Sequence, residues 1–299
     1  MLKYYLLELL DPLVIITPLS SCVGIALAFQ YARPSLAKIL LLLVALALAN
    51  MAVNTFNAYE DYKSGLDVEA TRTKFSGGTL KASYLVSGKI KPRQALRLAF
   101  FVFAIALATG VYFVISVPLL LPIVAIGAVT ILLYTKSILK VPFLAESLLV
   151  IIYMLVPIGA FVALTGIASH LLRVFFVSFP VGALVSMVLL MNEVPDVQVD
   201  KKHGRKSMAV MAYNTGTIGS IYLVIQLLGV LVLVLGALSG LTPAASLLAL
   251  LALPFMLAAY AGIRKYENPK QFEKYMGFNV IYFFLFLVLL IAGIAIRSL

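Results

Sequence analysis

Two short segments carry most of this chain's capacity for chemistry. They are NTFNAYEDYKSGLD at 54–67 and NEVPDVQVDKKHGRKS at 192–207, and residues 60–69 and 193–200 alone hold seven of the twelve acids. Asn57 and Asn192, like Asp61 and Asp196, lie 135 positions apart. On a helix Asn54, Asn57 and Asp61 fall at i, i+3 and i+7, and Asn192, Asp196 and Asp200 at i, i+4 and i+8, so each set lines one face. Carboxylates on two facing helices repel unless a cation lies between them. With oxygen donors and no Cys or His cluster, that cation is a hard ion, and a few carboxylates with open positions suit Mg²⁺ bridging to phosphate oxygens better than a closed Ca²⁺ cage. Arg72 and Lys74 follow the first segment, and Lys201, Lys202, Arg205 and Lys206 the second. A site holding both a divalent metal and Lys/Arg side chains suits a diphosphate, whose charge each neutralises in part.

The elements that carry these segments must cross a membrane. The chain has 299 residues, 63% hydrophobic and 12% charged, with a mean hydropathy of +1.08, which excludes a soluble domain of this size. Nine apolar windows are long enough to span as helices: 12–31, 35–57, 95–116, 117–135, 142–165, 171–192, 214–238, 242–263 and 276–297. The third and fourth are separated chiefly by Pro118 and Pro122. The first segment closes the second window and the second closes the sixth, so the 135-residue offset corresponds to four helices and predicts an internal repeat. Gly65 and Gly204 mark the helix ends. Glu8 and Asp11 precede the first apolar run, which does not read as a removable signal peptide, and Cys22, the single cysteine, is expected to pack. Nineteen Lys and Arg fall on the N-terminal side of this topology and four (Arg33, Lys38, Arg173, Arg297) on the other, so the N-terminus and the mouth of the site are expected in the cytoplasm. The net charge of +11 is mostly this topology signal, Lys89, Lys91 and Arg93 included, and does not indicate nucleic acid. The acids all fall at the same face, which topology does not require.

The N-x-x-N-x-Y-x-D-x-x-x-G-x-D pattern at 54–67, the N-x-x-x-D-x-x-x-D at 192–200 with its following G-R-K-S, and YTKSILK at 134–140 resemble the UbiA superfamily of intramembrane prenyltransferases. The first is closest to the branch that prenylates 1,4-dihydroxy-2-naphthoate in menaquinone synthesis. The resemblance implies one all-α transmembrane domain over 1–299, a pseudo-symmetric bundle of nine helices built from four-helix units, with cap loops at 67–94 and 201–213. It implies two Mg²⁺ ions held by Asn57, Asp61, Asp67, Asn192, Asp196 and Asp200. Asp61, Asp67, Asp196, Asp200, Arg72, Lys74 and Tyr134 are expected to act in catalysis. Asn54, Asn57, Asn192, Arg72, Lys74, Lys136, Lys140, Lys206 and Glu146 are expected to bind substrate. Ala58 stands where many members carry Asp, and SILKV replaces a Pro-rich loop.

The partners implied are an isoprenyl diphosphate, an aromatic or lipid acceptor and the bilayer, with no obligate protein partner. Diphosphate leaves readily once its charge is neutralised, giving an allylic carbocation that must be kept from water. Phe56, Tyr59, Phe143, Tyr153 and Phe161 are candidates to face such a cation. The competing class is a secondary transporter, which places its charges near the midplane and often on broken helices. Here the middle of nearly every window is apolar, and His170 falls in a loop on the far side.

Overall fold

The computed structural model describes residues 2–10, 12–72, 82–213, 217–264 and 269–296. All regular structure among them is helical: α1 (Leu2–Leu9), α2 (Ile16–Ala28), α3 (Leu36–Ser64), α4 (Leu66–Arg72), α5 (Ala82–Val86), α6 (Pro92–Ser116), α7 (Leu121–Leu133), α8 (Leu144–Thr165), α9 (Leu171–Glu193), α10 (Val197–Lys202), α11 (Met208–Tyr213), α12 (Ile218–Leu238), α13 (Leu253–Arg264) and α14 (Pro269–Ile296). Short 3₁₀ turns join several of them, and a longer one, Ala244–Ala252, leads into α13.

Seven of these helical stretches are long and apolar enough to cross a membrane, rather than the nine expected. The other two expected windows form shorter apolar helices, Leu13–Ala28 and Pro118–Leu133. The prolines explain the second: Pro118 opens a 3₁₀ turn, and Pro122 follows in the first turn of α7, where a missing N–H costs nothing.

The site is positioned by α3 and α9. Ser35 starts α3, its hydroxyl accepting the Lys38 N–H at 3.3 Å, and Gly65 ends it at φ 82°. Its 29 residues reach about 43 Å at 1.5 Å per residue, past the roughly 30 Å hydrocarbon core. The surplus turns are those with Asn57 and Asp61. Helix α3 packs along α6, while α9 lies at the centre of the bundle, against α8 on one side and α12 on the other. Tyr222 on α12 donates to Asn279 Oδ1 on α14 at 2.7 Å, a buried polar tie between spans of the kind that joins helices where no water competes.

Two expectations need correction. The second motif does not lie on one continuous helix: Val194–Asp196 is a 3₁₀ turn between α9 and α10, because Pro195 cannot supply an α-helical N–H. The expected loop at 67–94 is partly helical, with Asp67 in the first turn of α4 and with α5 and the start of α6 following; its residues 73–81 lie outside those described.

The close fit of α8 on α9 rests on Gly182, where a Cβ would lie 2.2 Å from the Val150 carbonyl oxygen, whereas one on Gly127 would meet nothing within 4 Å. Gly182→Ala is expected to lower the melting temperature of the purified protein in detergent, by an amount corresponding to the upper part of the about 1–3 kcal/mol typical of overpacking, since backbone cannot rotate away. Gly127→Ala should leave it unchanged. Equal melting of the two variants would show that the helices separate freely.

Candidate active site

The left-handed Gly204, φ 73°, turns the chain back on α10, and the next residue lands on the acid that α10 carries. Arg205 donates through one guanidinium nitrogen to Asp200 Oδ1 at 3.0 Å and through the other to Asp61 Oδ1 on α3. Asp200 is 1% exposed, and the Asp61 and Arg205 side chains are 19% and 16% exposed. The two acidic segments therefore meet on one half-buried cation. Burial works against the Arg205 charge, but Asp61 and Asp200 outweigh it and hold the guanidinium above its ordinary value. Asp196 lies close enough to feel Asp200, Arg205 and Asp61.

Further contacts close the ring around this clasp. Thr135 donates to Asn57 Oδ1, which brings the 134–140 segment onto α3. The Lys206 backbone N–H donates to the Leu139 carbonyl at 2.8 Å, tying that segment to the turn after α10. Glu146, at the start of α8, is 1% exposed and accepts the Met208 N–H, while the Ser186 hydroxyl on α9 donates to its carbonyl at 3.1 Å. On the outside, Glu69 on α4 receives Lys202 at 2.7 Å and His203 at 3.1 Å.

Next to the clasp, a cavity of roughly 270 Å³ runs between α2, α3, α6, α7 and α8. Its walls are mostly apolar, including Leu46, Phe103, Phe113, Ile123 and Val156, with Asn54, Asn57 and Tyr134 toward the clasp. Along α3 the polar face goes deeper than expected: Asn54 donates to Asn50 Oδ1 at 2.9 Å, Asn50 donates to Thr17 Oγ1 at 2.6 Å, and Thr17 and the Tyr153 hydroxyl are 3.3 Å apart. Of the aromatics expected to face a cation, Tyr153 lines the cavity but Phe56, Tyr59, Phe143 and Phe161 do not. Phe56 packs edge-on against Phe100, and Phe161 against Tyr31, since both fall on helix faces turned toward other helices. Tyr134 is buried and lines the cavity beside Asn57.

The structure thus gathers Asp61, Asp196 and Asp200, with Asn54, Asn57, Tyr134 and Glu146 nearby. Asn192 is half-buried near the end of α9, and Asp67 is buried in α4. Lys136, Lys140 and Lys206 are exposed. Arg72 ends α4, with its side chain outside the described atoms, and Lys74 lies outside the described residues. Sequence reasoning missed Arg205, Glu193, Thr135 and Asn50. Arg205 stood among the cations beside the second segment and in its G-R-K-S, but without a role of its own. Asn50 continues the Asn54–Asn57–Asp61 face one turn deeper, a signal that was present. Among the described residues no three acids stand close enough to enclose a metal on their own. The convergence of Asp61 and Asp200 on one cation, and their all-oxygen chemistry, nevertheless fit a Mg²⁺ completed by phosphate oxygens.

The sequence model of the UbiA prenyltransferase family matches residues 18–290. A 1,4-dihydroxy-2-naphthoate octaprenyltransferase of Bacillus subtilis is 28% identical over 200 residues, 65% of this chain. The matched stretch spans 61% of that relative's length. The fold is that of an apo UbiA homolog from Aeropyrum pernix, with a TM-score of 0.67 and 22% identity over 96% of this chain and 98% of that one. A UbiA homolog from Archaeoglobus fulgidus bound to DMAPP and Mg²⁺ gives a TM-score of 0.51 at 16% identity, over 96% and 98% of the two chains.

The Glu69 clasp makes a pH prediction. Hydrogen bonding to Lys202, then to His203, holds the Glu69 carboxyl below its ordinary value. A depressed carboxyl contributes stability that is fully present above its unfolded pKa, about 4.3, and is lost as pH falls through the lower folded value. Backbone amides of 66–72 and 197–202 should therefore exchange faster only below about pH 4. Glu69→Gln should abolish that dependence, and a persistent one would assign it to another group.

Proposed function

The chain belongs to the UbiA prenyltransferase family, and from that premise we propose that it transfers an isoprenyl group from an isoprenyl diphosphate to an aromatic quinone precursor, or to another lipid-pathway acceptor. The observation that carries this reading is the meeting of two acidic segments on one cation beside an apolar cavity. We place nine crossings in the bundle, in two four-helix units plus one, with the two shorter apolar helices completing the count. The site's mouth and the N-terminus face the cytoplasm, which the distribution of Lys and Arg supports.

In this reading Asp61, Asp196 and Asp200, with Asn57, Asn192 and Asp67, hold two Mg²⁺ ions. When bound, Mg²⁺ neutralises the diphosphate and stabilises the departing oxyanion. Arg72, Lys74, Lys136, Lys140 and Lys206 bind diphosphate oxygens. The cavity takes the hydrocarbon tail away from water, so the allylic cation left by diphosphate departure meets the acceptor before it meets solvent. Asn54 and Tyr134 donate hydrogen bonds at the cavity's polar end, and Glu146 orients the acceptor hydroxyl. The Archaeoglobus fulgidus homolog bound to DMAPP and Mg²⁺ supports the substrate class. The naphthoate octaprenyltransferase supports the aromatic acceptor.

Purified protein with Mg²⁺, a prenyl diphosphate and a panel of acceptors should release pyrophosphate and form prenylated product, which a transporter does not. Asp61→Ala and Asp196→Ala should each abolish turnover while the protein remains folded in detergent. Activity retained in both would remove the metal from this mechanism.

The basic residues divide by role. Arg72→Ala should lower kcat/KM at least tenfold, about 1.4 kcal/mol, because its interaction strengthens as the leaving group gains charge. Lys91→Ala, a topology residue at the start of α6, should be nearly silent. Equal effects on correctly inserted protein would overturn the distinction.

A further inference from the structure

We propose that Arg205 is a diphosphate-binding residue that, before substrate arrives, occupies the place of the metal, so that metal enters only together with the diphosphate. The inference rests on the reading above and goes beyond it. Arg205 is the arginine of the G-R-K-S that follows the second motif, and among the described residues its guanidinium pairs with Asp61 of the first segment and Asp200 of the second at once.

The argument starts from charge. Asp200 is almost wholly buried, and Asp61 reaches it from another helix. Two ionised carboxylates in such a place repel, and a cation between them offsets that repulsion; removing one partner of a buried ion pair leaves an uncompensated ion. The guanidinium satisfies both at once: its fork gives one nitrogen to each acid, a geometry that a lysine ammonium does not reproduce. Asp196 and Glu193 add to the negative field on this group, and His203 lies by Asp200. Each carboxylate oxygen engaged by Arg205 is an oxygen withheld from a metal. A bare divalent ion must therefore displace the guanidinium and leave a cation stranded in a poorly hydrated pocket, an arrangement with an excess of positive charge.

A diphosphate removes that penalty. It brings oxygens that complete the metal's shell, and it offers the displaced guanidinium a new anion. Arginine forks pair with phosphate as well as with carboxylate. Arg205 is attached just beyond Gly204, whose left-handed backbone makes the turn, so the exchange needs rotation of one side chain and a short loop rather than a helix movement. The same residue then contacts the leaving group, with its partner changed from carboxylate to phosphate. Metal and diphosphate binding are coupled as a consequence, and each raises the affinity for the other by the same factor.

The test uses the full chain in detergent, with Mn²⁺ followed by the electron paramagnetic resonance signal of the free ion, alone and with geranyl thiodiphosphate as an unreactive probe. Wild-type protein should bind Mn²⁺ weakly alone and far more tightly with the thiodiphosphate. Arg205→Gln should bind Mn²⁺ alone about tenfold or more tightly than wild type, because two acids are left unpaired, and should bind the thiodiphosphate correspondingly less tightly in the presence of metal. Arg205→Lys keeps the charge but loses the fork, and it should shift both affinities in the same directions by less, which provides the test if the glutamine variant does not fold. Unchanged Mn²⁺ affinity in whichever variant folds, with wild type releasing pyrophosphate from geranyl diphosphate, would overturn the role of Arg205 alone. Wild type that neither binds Mn²⁺ with the thiodiphosphate nor releases pyrophosphate would overturn this role and the proposed function together.

Discussion

Two ionised carboxylates from different helices, Asp61 and Asp200, stay close here because a guanidinium lies between them, and the rest of the site is arranged around that contact. Removing a carboxylate from water costs several kcal/mol, which attraction to a well-placed partner offsets. Asp61 arrives on the surplus turns of α3, Asp200 on a short helix set off from α9 by Pro195, and Arg205 by the reversal at Gly204. None of these elements places its residue usefully alone. The surrounding contacts, Thr135 on Asn57, Lys206 on Leu139 and Glu69 on Lys202 and His203, join successive segments of the chain into a rim around the acids. The bundle below supplies the rigid frame, since α9 is packed on both sides and its fit to α8 depends on backbone contact.

Helix α3 connects this charged rim to the apolar cavity. Asn50, Asn54, Asn57 and Asp61 follow one face over eleven residues, roughly 16 Å of helix. Polarity rises along that face from amides tied to Thr17 and Tyr153, through amides at the cavity's end, to a carboxylate at the rim. Such a gradient matches a molecule with a charged head and a hydrocarbon tail. Each end meets an environment that costs little, and only the junction between them is held among hydrogen-bonding groups.

The parts of this arrangement legible in the sequence are those set by local rules. Apolar windows gave the spans, Gly65 and Gly204 gave the helix ends, and the spacing of Asn57, Asp61, Asp196 and Asp200 gave the two segments that meet. What stayed hidden depends on tertiary context. Pro195 breaks the i, i+4, i+8 spacing of the second segment with a 3₁₀ turn that spacing alone does not show. Arg205 was one of four basic residues that follow the second segment, and only the fold shows that it, rather than its neighbours, lies between two acids. Phe56 and Phe161 were plausible neighbours for a cation by type, but helix rotation, invisible in so uniformly apolar a sequence, turned them toward other rings. The seven long spans and two short ones reflect the same difficulty, because prolines shorten helices without shortening the apolar run.

The placement of charge also decides what kind of work the bundle is suited to. A carrier that moves a polar solute through the bilayer must offer it polar contacts near the midplane and open to each side in turn. In this protein the carboxylates and the guanidinium that bridges them stand past the end of the apolar spans, while the cavity beneath is walled almost entirely by hydrocarbon. A charged solute leaving the rim would find only neutral amides and hydroxyls along α3 and hydrocarbon elsewhere. An amphiphile, by contrast, need not travel: its head stays with the charges and its tail with the cavity, and only the bond between them has to change. The architecture therefore favours chemistry at a fixed point over passage across the membrane.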